Sequence, residues 1–341
     1  MSLNEKHKQI KLLMSSSDIH GCGFMRVKQP AEFLQNHLPW VEYSLGFPPN
    51  DPRINEANII SLQRANNEYF QTWIPKIKET GTKLVSDMDD LLWGIPSSNL
   101  AHRHYPKKEL DKLDFVMKNS DALTCSTIPL QGYLRDRFKI EPIVIPNMYH
   151  TPPDFIKPKN DKIRIGWHGS YTHAGDFDHH LVKAIRELKK KYDFEFHTFG
   201  FCPQFFKDIA IHTEWTGIDT FIQTLIGLNL DIGIIVAQDN FFNACKSNLK
   251  YIEYSLAKTV SVAHNVYPYS NTIDDGVNGF LIKKEKTDWK TYLEELIVNE
   301  ELRVTMAERA NEKVKKEFTF EGNGDLILSK YGELFTQLGF K

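Results

Sequence analysis

The sequence predicts an α/β protein of two doubly wound, Rossmann-like lobes that face each other across a cleft. Three observations predict it. Short apolar runs alternate with amphipathic stretches, which is the pattern of parallel βαβ units. The series breaks at a proline-rich joint, "EPIVIPNMYHTPPDF" (141–155), then restarts with the same strand-then-glycine order at "KIRIGWHG" (162–169). The 341 residues suffice for two domains of ordinary size.

In chain order, "IKLLMSS" (10–16) predicts a buried strand and "DIHGCGFMR" (18–26) a glycine-containing loop after it. "TKLVSDM" (82–88) and "ALTCST" (122–127) predict further strands, and the joint holds one more before its proline-rich exit. In the second series "DHHLVKAIRELKKKY" (178–192) sets Leu181, Ala184, Ile185 and Leu188 at helical spacing. "FEFHTFG" (194–200), "DIGIIVA" (231–237) and "VSVAH" (260–264) follow as strands, and "GELFTQLGF" (332–340) as an amphipathic tail helix. The expected boundaries are 1–150 for the first lobe, 151–325 for the second, and 326–341 for a tail helix packing back on the first lobe.

Composition narrows the function classes. With 41% hydrophobic and 25% charged residues the chain reads as soluble and globular. Its 42 basic and 44 acidic residues give a net charge of -2, which argues against a nucleic-acid coat protein or a membrane-surface binder. Cys22, Cys125, Cys202 and Cys245 form no CxxC pair and read as free thiols of a reducing compartment. No apolar run approaches the roughly 20 residues of a membrane span; the most apolar, "LDIGIIVA" (230–237), is far shorter. The opening "MSLNEKHKQ" lacks a signal-peptide core, so the expected location is the cytoplasm, or the host cytoplasm for a phage-encoded chain.

The chemistry concentrates in "NACKSNLKYIEY" (243–254). Asn243 suits a helix N-cap. Lys246, Lys250 and Glu253 then follow at intervals that stack side chains on one helical face. The segment comes after a strand, where parallel sheets put their ligand loops. A first turn there offers amide groups to an anion, so amides near Lys246, Ser247 and Asn248 suit a diphosphate, with Lys246 adding a full charge. Glu253, deeper in, suits ribose hydroxyls. On this segment alone, a surface helix with a Lys–Glu pair explains the residues equally well.

Five stretches together carry a resemblance: "KSNLKYIEYSLAKTVSVAH" (246–264), "IDDGVNGFLI" (273–282), "GWHGSYTH" (166–173), "DIHGCGFMR" and "DMDDLLWGIP" (87–96). The chain resembles the retaining glycosyltransferases of the GT-B fold, family 4 type, including bacterial and phage enzymes. The resemblance implies transfer of a sugar from a nucleotide-sugar donor to a hydroxyl acceptor. It implies no cofactor, no divalent metal, since Lys246, His168, His173 and a helix N-terminus would neutralise the diphosphate, and no dedicated carboxylate base, since the leaving phosphate itself helps take the acceptor's proton.

Carried over by residue, Glu253 matches the second, ribose-binding glutamate of the family's E-x7-E pattern, while the first falls on Cys245. The family's diphosphate-holding Arg and Lys fall on His168 and His173, with Gly169 and Ser170 between them in the glycine loop. Imidazoles carry full charge only when protonated, which predicts donor affinity highest at mildly acidic pH. A usual glycine and proline are Lys258 and Val260. In the first lobe the resemblance implies that Gly21 and Gly23 approach the donor and that Arg26 faces the same cleft. Asp89 or Asp90 would orient or deprotonate the acceptor hydroxyl, and Lys246 would stabilise the departing diphosphate. The acceptor would be a hydroxymethylated base in DNA, with "AHRHYPKK" (101–108) as a basic lip for its backbone, or a cell-surface glycan or lipid.

Two other classes share these residues, a nucleotide-sugar epimerase of the same fold and a non-catalytic nucleotide-sugar-binding protein. Two signals are set aside. "DMD" (87–89) matches the metal motif of the other glycosyltransferase fold, and "HAGDFDHH" (173–180) is rich in metal-ligand types but reads as the start of a helix near Asp178.

Overall fold

Two six-stranded sheets organise the chain in the computed structural model, which describes residues 3, 5, 7–47, 50–283 and 288–340. The first holds β1 (Lys11–Ser16), β2 (Trp40–Leu45), β3 (Ile59–Gln63), β4 (Lys83–Met88), β5 (Ala122–Cys125) and β6 (Ile143–Val144), in the order β2-β1-β3-β4-β5-β6. The second holds β7 (Ile163–Gly169), β8 (Phe194–Gly200), β9 (Ala210–Glu214), β10 (Ile232–Ile235), β11 (Val260–His264) and β12 (Phe280–Ile282), in the order β12-β11-β10-β7-β8-β9. Every pairing between these strands is parallel. Parallel sheets are covered on both faces, which is why Leu12, Leu13 and Met14 run without a polar break and are all buried.

The expected fold of two lobes is met. Sequence reading found β1, β4, β5, β6, β7, β8, β10 and β11 but not β2, β3, β9 or β12. Two of these, β2 and β9, are half-exposed edge strands whose mixed residues, "WVEYSL" and "AIHTE", carry little apolar signal. The helix His179–Lys191 forms as the periodicity predicted. Asp178 Oδ1 accepts from Leu181 N at 2.9 Å as its cap, and Leu181, Ala184, Ile185 and Leu188 are buried.

The chain crosses between the lobes near residues 145–150 and again near 317–320, and the crossings are bonded together. Tyr149 N donates to Phe318 O at 3.1 Å and Phe320 N to Tyr149 O at 3.0 Å. After the second crossing the helix Phe320–Gln337 lays Ile327, Tyr331, Leu334 and Phe335 against Ile10, Leu12 and Met14 of the first lobe.

Candidate functional site

A cavity of about 520 Å³ lies between the lobes, at the carboxyl ends of both sheets. From the first lobe come Asp18, Gly21 and Cys22 after β1, and Asp89 and Asp90 after β4. From the second come His168, Gly169, Ser170 and His173 around the end of β7, Trp215 and Phe221 after β9, and Lys246, Ser247, Lys250 and Glu253 after β10. The parallel-sheet rule places ligands here.

The segment after β10 folds in two steps rather than one. Asn240, not Asn243, caps a short helix Phe241–Ala244, its side chain accepting from Asn243 N at 2.8 Å. The chain then turns and starts a second helix, Leu249–Leu256. Lys246 therefore lies in the turn and does not share a helical face with Lys250 and Glu253. Its ammonium stacks 4.6 Å from the Phe242 ring centroid. Its amide is already committed to Asn243 O at 3.1 Å, whereas the amides of Ser247 and Asn248 have no partner among the described residues. The Asn248 side chain is turned inward, donating to Thr272 Oγ1 at 3.2 Å, which leaves its amide as the group it can offer a ligand.

Glu253 is the deepest charge in the cavity, 8% exposed. Tyr149 O–H donates to its Oε1 at 2.7 Å, and His168 Nε2 stands 3.4 Å from its Oε2 without making a hydrogen bond. Burial raises the Glu253 carboxyl to about 7, against the opposing pull of Lys250 and the Tyr149 hydrogen bond. Lys250 Nζ donates to His168 O at 2.7 Å, and burial lowers its ammonium to about 8, with Glu253 opposing and Lys246 adding to the fall. Gly169 makes room for that contact, since a Cβ there would sit 2.8 Å from the Trp167 ring and 3.0 Å from Lys250 Nζ.

The surroundings of His168 and His173 disfavour their charged forms. His168, 2% exposed, is held well below its ordinary value by burial and then by Lys250 and His173. His173 falls to about 4 through burial and Lys246, although Asp176 Oδ2 lies 3.0 Å from its Nδ1. Neither replaces an arginine or lysine as a cation, so the positive charge of the site rests on Lys246 and Lys250.

Several expectations change in the first lobe. Arg26 does not reach the cavity. The helical segment after the loop opens into a π turn, Phe24–Lys28, that carries the guanidinium into the lobe. There its Nε and Nη2 donate to Asp87 at 2.9 and 2.6 Å, and Nη1 to Ile145 O and Asn147 Oδ1 at 2.6 and 2.9 Å. Gly23 is likewise a packing glycine, because a Cβ there would lie 2.4 Å from Asp18 O. Gly21 does line the cavity. Asp89 and Asp90 line it too, both held by Arg64, at 2.5 and 2.7 Å. Asp87 also accepts from Thr124 at 2.7 Å, so the D-x-D carboxylates are held apart by separate arginines.

Lys107 and Lys108 of the expected basic lip pair with Asp111 and Glu68 at 2.6 and 2.7 Å. Cys245 is fully buried and packs with Phe242 into the first-lobe cluster around Leu92 and Leu130. Burial pushes its thiol up to about 12, so it supplies no anion in place of the glutamate that the resemblance implies.

Residues missed from sequence include Trp215, 47% exposed and stacked on Phe199, and Asn147 and Tyr149 of the first crossing, all of which line the cavity. The rule that ligand loops follow parallel strands would have found Trp215 had β9 been recognised. Tyr149 and Asn147 lie in the proline-rich joint, where nothing in the local pattern points to a ligand.

No family model and no curated protein matches the sequence. Solved structures do match. A glycosyltransferase from Rickettsia africae superimposes with a TM-score of 0.64 at 16% identity, covering 97% of this chain and 99% of that one. Anabaena HepE in complex with UDP-glucose gives 0.66 at 12%, over 96% and 100%. S. aureus TarM in complex with UDP gives 0.57 at 16%, over 81% of this chain and 55% of that chain, so this protein spans about half of TarM's length. With these likenesses and its two facing parallel sheets, the chain has the two-lobe GT-B fold.

Proposed function

We propose that this protein is a retaining glycosyltransferase that takes a sugar from a nucleoside-diphosphate donor in the interlobe cavity and passes it to a hydroxyl acceptor. The observation that carries the reading is one cavity holding cationic Lys246 and Lys250 beside the buried carboxylate of Glu253. A diphosphate needs the cations and free amides, and vicinal ribose hydroxyls need a carboxylate acceptor. Proteins of the same fold that were solved with UDP or UDP-glucose support it by analogy.

In this reading Lys246 and the amides of Ser247 and Asn248 hold the diphosphate at the start of the helix Leu249–Leu256, where the helix dipole also favours negative charge. The same groups stabilise the charge that develops as the sugar–phosphate bond breaks, with no dedicated carboxylate base. Gly21, Gly169, Ser170 and neutral His168 and His173 surround the donor as close-approach and hydrogen-bonding groups. His168 Nε2 is buried without a partner among the described residues, a polar atom that a ligand would satisfy. Asp90, more open than Asp89 at 29% side-chain exposure against 11%, orients the acceptor hydroxyl. No divalent metal is required. The acceptor is a sugar or lipid hydroxyl; with Lys107 and Lys108 paired to acids, a DNA backbone finds little free basic surface on that lip.

Incubation with a panel of nucleotide sugars together with a panel of sugar and lipid acceptors, read by mass spectrometry for released nucleoside diphosphate and glycosylated acceptor, tests the reading. Turnover of one donor, with the product anomer matching the donor's by NMR, is the expected result. Intact donors throughout would refute it, and an epimerised sugar formed without acceptor would move the protein to the epimerase class.

A further inference from the structure

Two side chains of the first lobe crossing touch the donor wall of the second lobe. Tyr149 O–H donates to Glu253 Oε1 at 2.7 Å, and Asn147 Nδ2 donates to Ser247 Oγ at 2.9 Å. Both residues are buried and both line the cavity. Both are themselves hydrogen-bonded in place. Asn147 Oδ1 accepts from Arg26 Nη1 at 2.9 Å, and Arg26 is locked on Asp87. The Tyr149 backbone is bonded both ways to the second crossing.

The direction of these bonds follows from chemistry. Arginine has donors only, so the atom of Asn147 that faces Arg26 must be the carbonyl oxygen, and the amide nitrogen must face Ser247. Ser247 Oγ therefore accepts from Asn147 and keeps its own proton to donate to another acceptor. That is the hydrogen-bonding state a phosphate oxygen requires. A carboxylate that receives the Tyr149 hydroxyl on Oε1 has its plane fixed and offers Oε2 to a hydroxyl donor.

We infer that Asn147 and Tyr149 are positioning residues for the donor, Asn147 acting through Ser247 on the diphosphate and Tyr149 acting through Glu253 on the ribose. The inference rests on the donor reading above. It makes the second-lobe site dependent on a segment anchored in the first lobe through the line Asp87–Arg26–Asn147–Ser247. Supports of this kind hold contacting groups within the narrow geometry that binding needs.

Two near-isosteric variants test it by calorimetry against UDP, GDP and ADP, with competition by inorganic pyrophosphate as the probe that lacks ribose. Tyr149→Phe keeps the ring in its apolar cluster and removes one oxygen. It should weaken the nucleoside diphosphate that binds the wild type by roughly tenfold, the scale of a hydrogen bond to a charged group, and leave pyrophosphate unchanged. Asn147→Asp keeps the acceptor for Arg26 but takes the Ser247 proton; it should weaken both probes, and Ser247→Ala should add nothing in that background. In folded variants, unchanged affinities, or a Tyr149→Phe loss equal for both probes, would overturn the inference while leaving the donor reading intact. Failure of all three nucleotides to bind the wild type would overturn the donor reading itself, and this inference with it.

Discussion

Replacing Arg26 by methionine should destabilise the first lobe severely, although sequence reading put this residue in the ligand cleft. The Arg26 and Asp87 side chains are 4% and 7% exposed and share two hydrogen bonds. The remaining described contacts of the guanidinium go to Ile145 O and Asn147 Oδ1. Removing one member of a buried pair strands the other charge, at a cost of about 3–5 kcal/mol. For domains of this size each kcal/mol lowers the melting temperature by about 2–4 °C, so a fall of roughly 6–20 °C is expected. Calorimetric melting of wild type and variant measures it, and the double change Arg26→Met with Asp87→Leu should recover most of the loss, because no unpaired charge remains. A loss below about 1 kcal/mol, the worth of an exposed pair, would refute the burial argument.

Donor affinity should rise with pH through about 7, because Glu253 has its carboxyl raised there chiefly by burial and accepts ribose hydroxyls best when ionised; Glu253→Gln should flatten the profile, while affinity highest at acid pH would restore charged histidines to the site. Gly233→Ala should cost about 1–3 kcal/mol and weaken donor binding, since the added Cβ would sit 2.6 Å from the Tyr254 ring, whose hydroxyl accepts from His168 N; an unaltered melting temperature would contradict that. Chelation with EDTA should leave turnover unchanged, because Asp87 and Asp89 are held by Arg26 and Arg64; activity lost to EDTA and restored by manganese would bring back the D-x-D motif.

The two-lobe plan was readable because buried parallel strands leave uninterrupted apolar runs, and "GWHGSYTH" and the 246–264 segment, which line the interlobe cavity, stood out because each follows a strand and carries the resemblance. Most of the failures at the site have one physical source, that side-chain direction is set by packing partners distant in sequence. Nothing near Arg26 announces Asp87, 61 residues away. A histidine's charge depends on burial and on neighbours such as Lys246 and Lys250, so residue type alone did not show that both imidazoles are pushed below their ordinary value. The single helix expected from Asn243 became two because Asn240 caps first. Position 245 faces an apolar contact with the first lobe. Tyr149 gave no signal, since its role exists only where the two crossings meet.

The most direct test of the central claim is a crystal structure of the protein with UDP, or with the nucleoside diphosphate that binds it. The account predicts the diphosphate within hydrogen-bond reach of Lys246 and the Ser247 and Asn248 amides, and the ribose hydroxyls on Glu253 Oε2. A nucleotide bound outside the interlobe cavity, or inside it with the ribose away from Glu253, would contradict it.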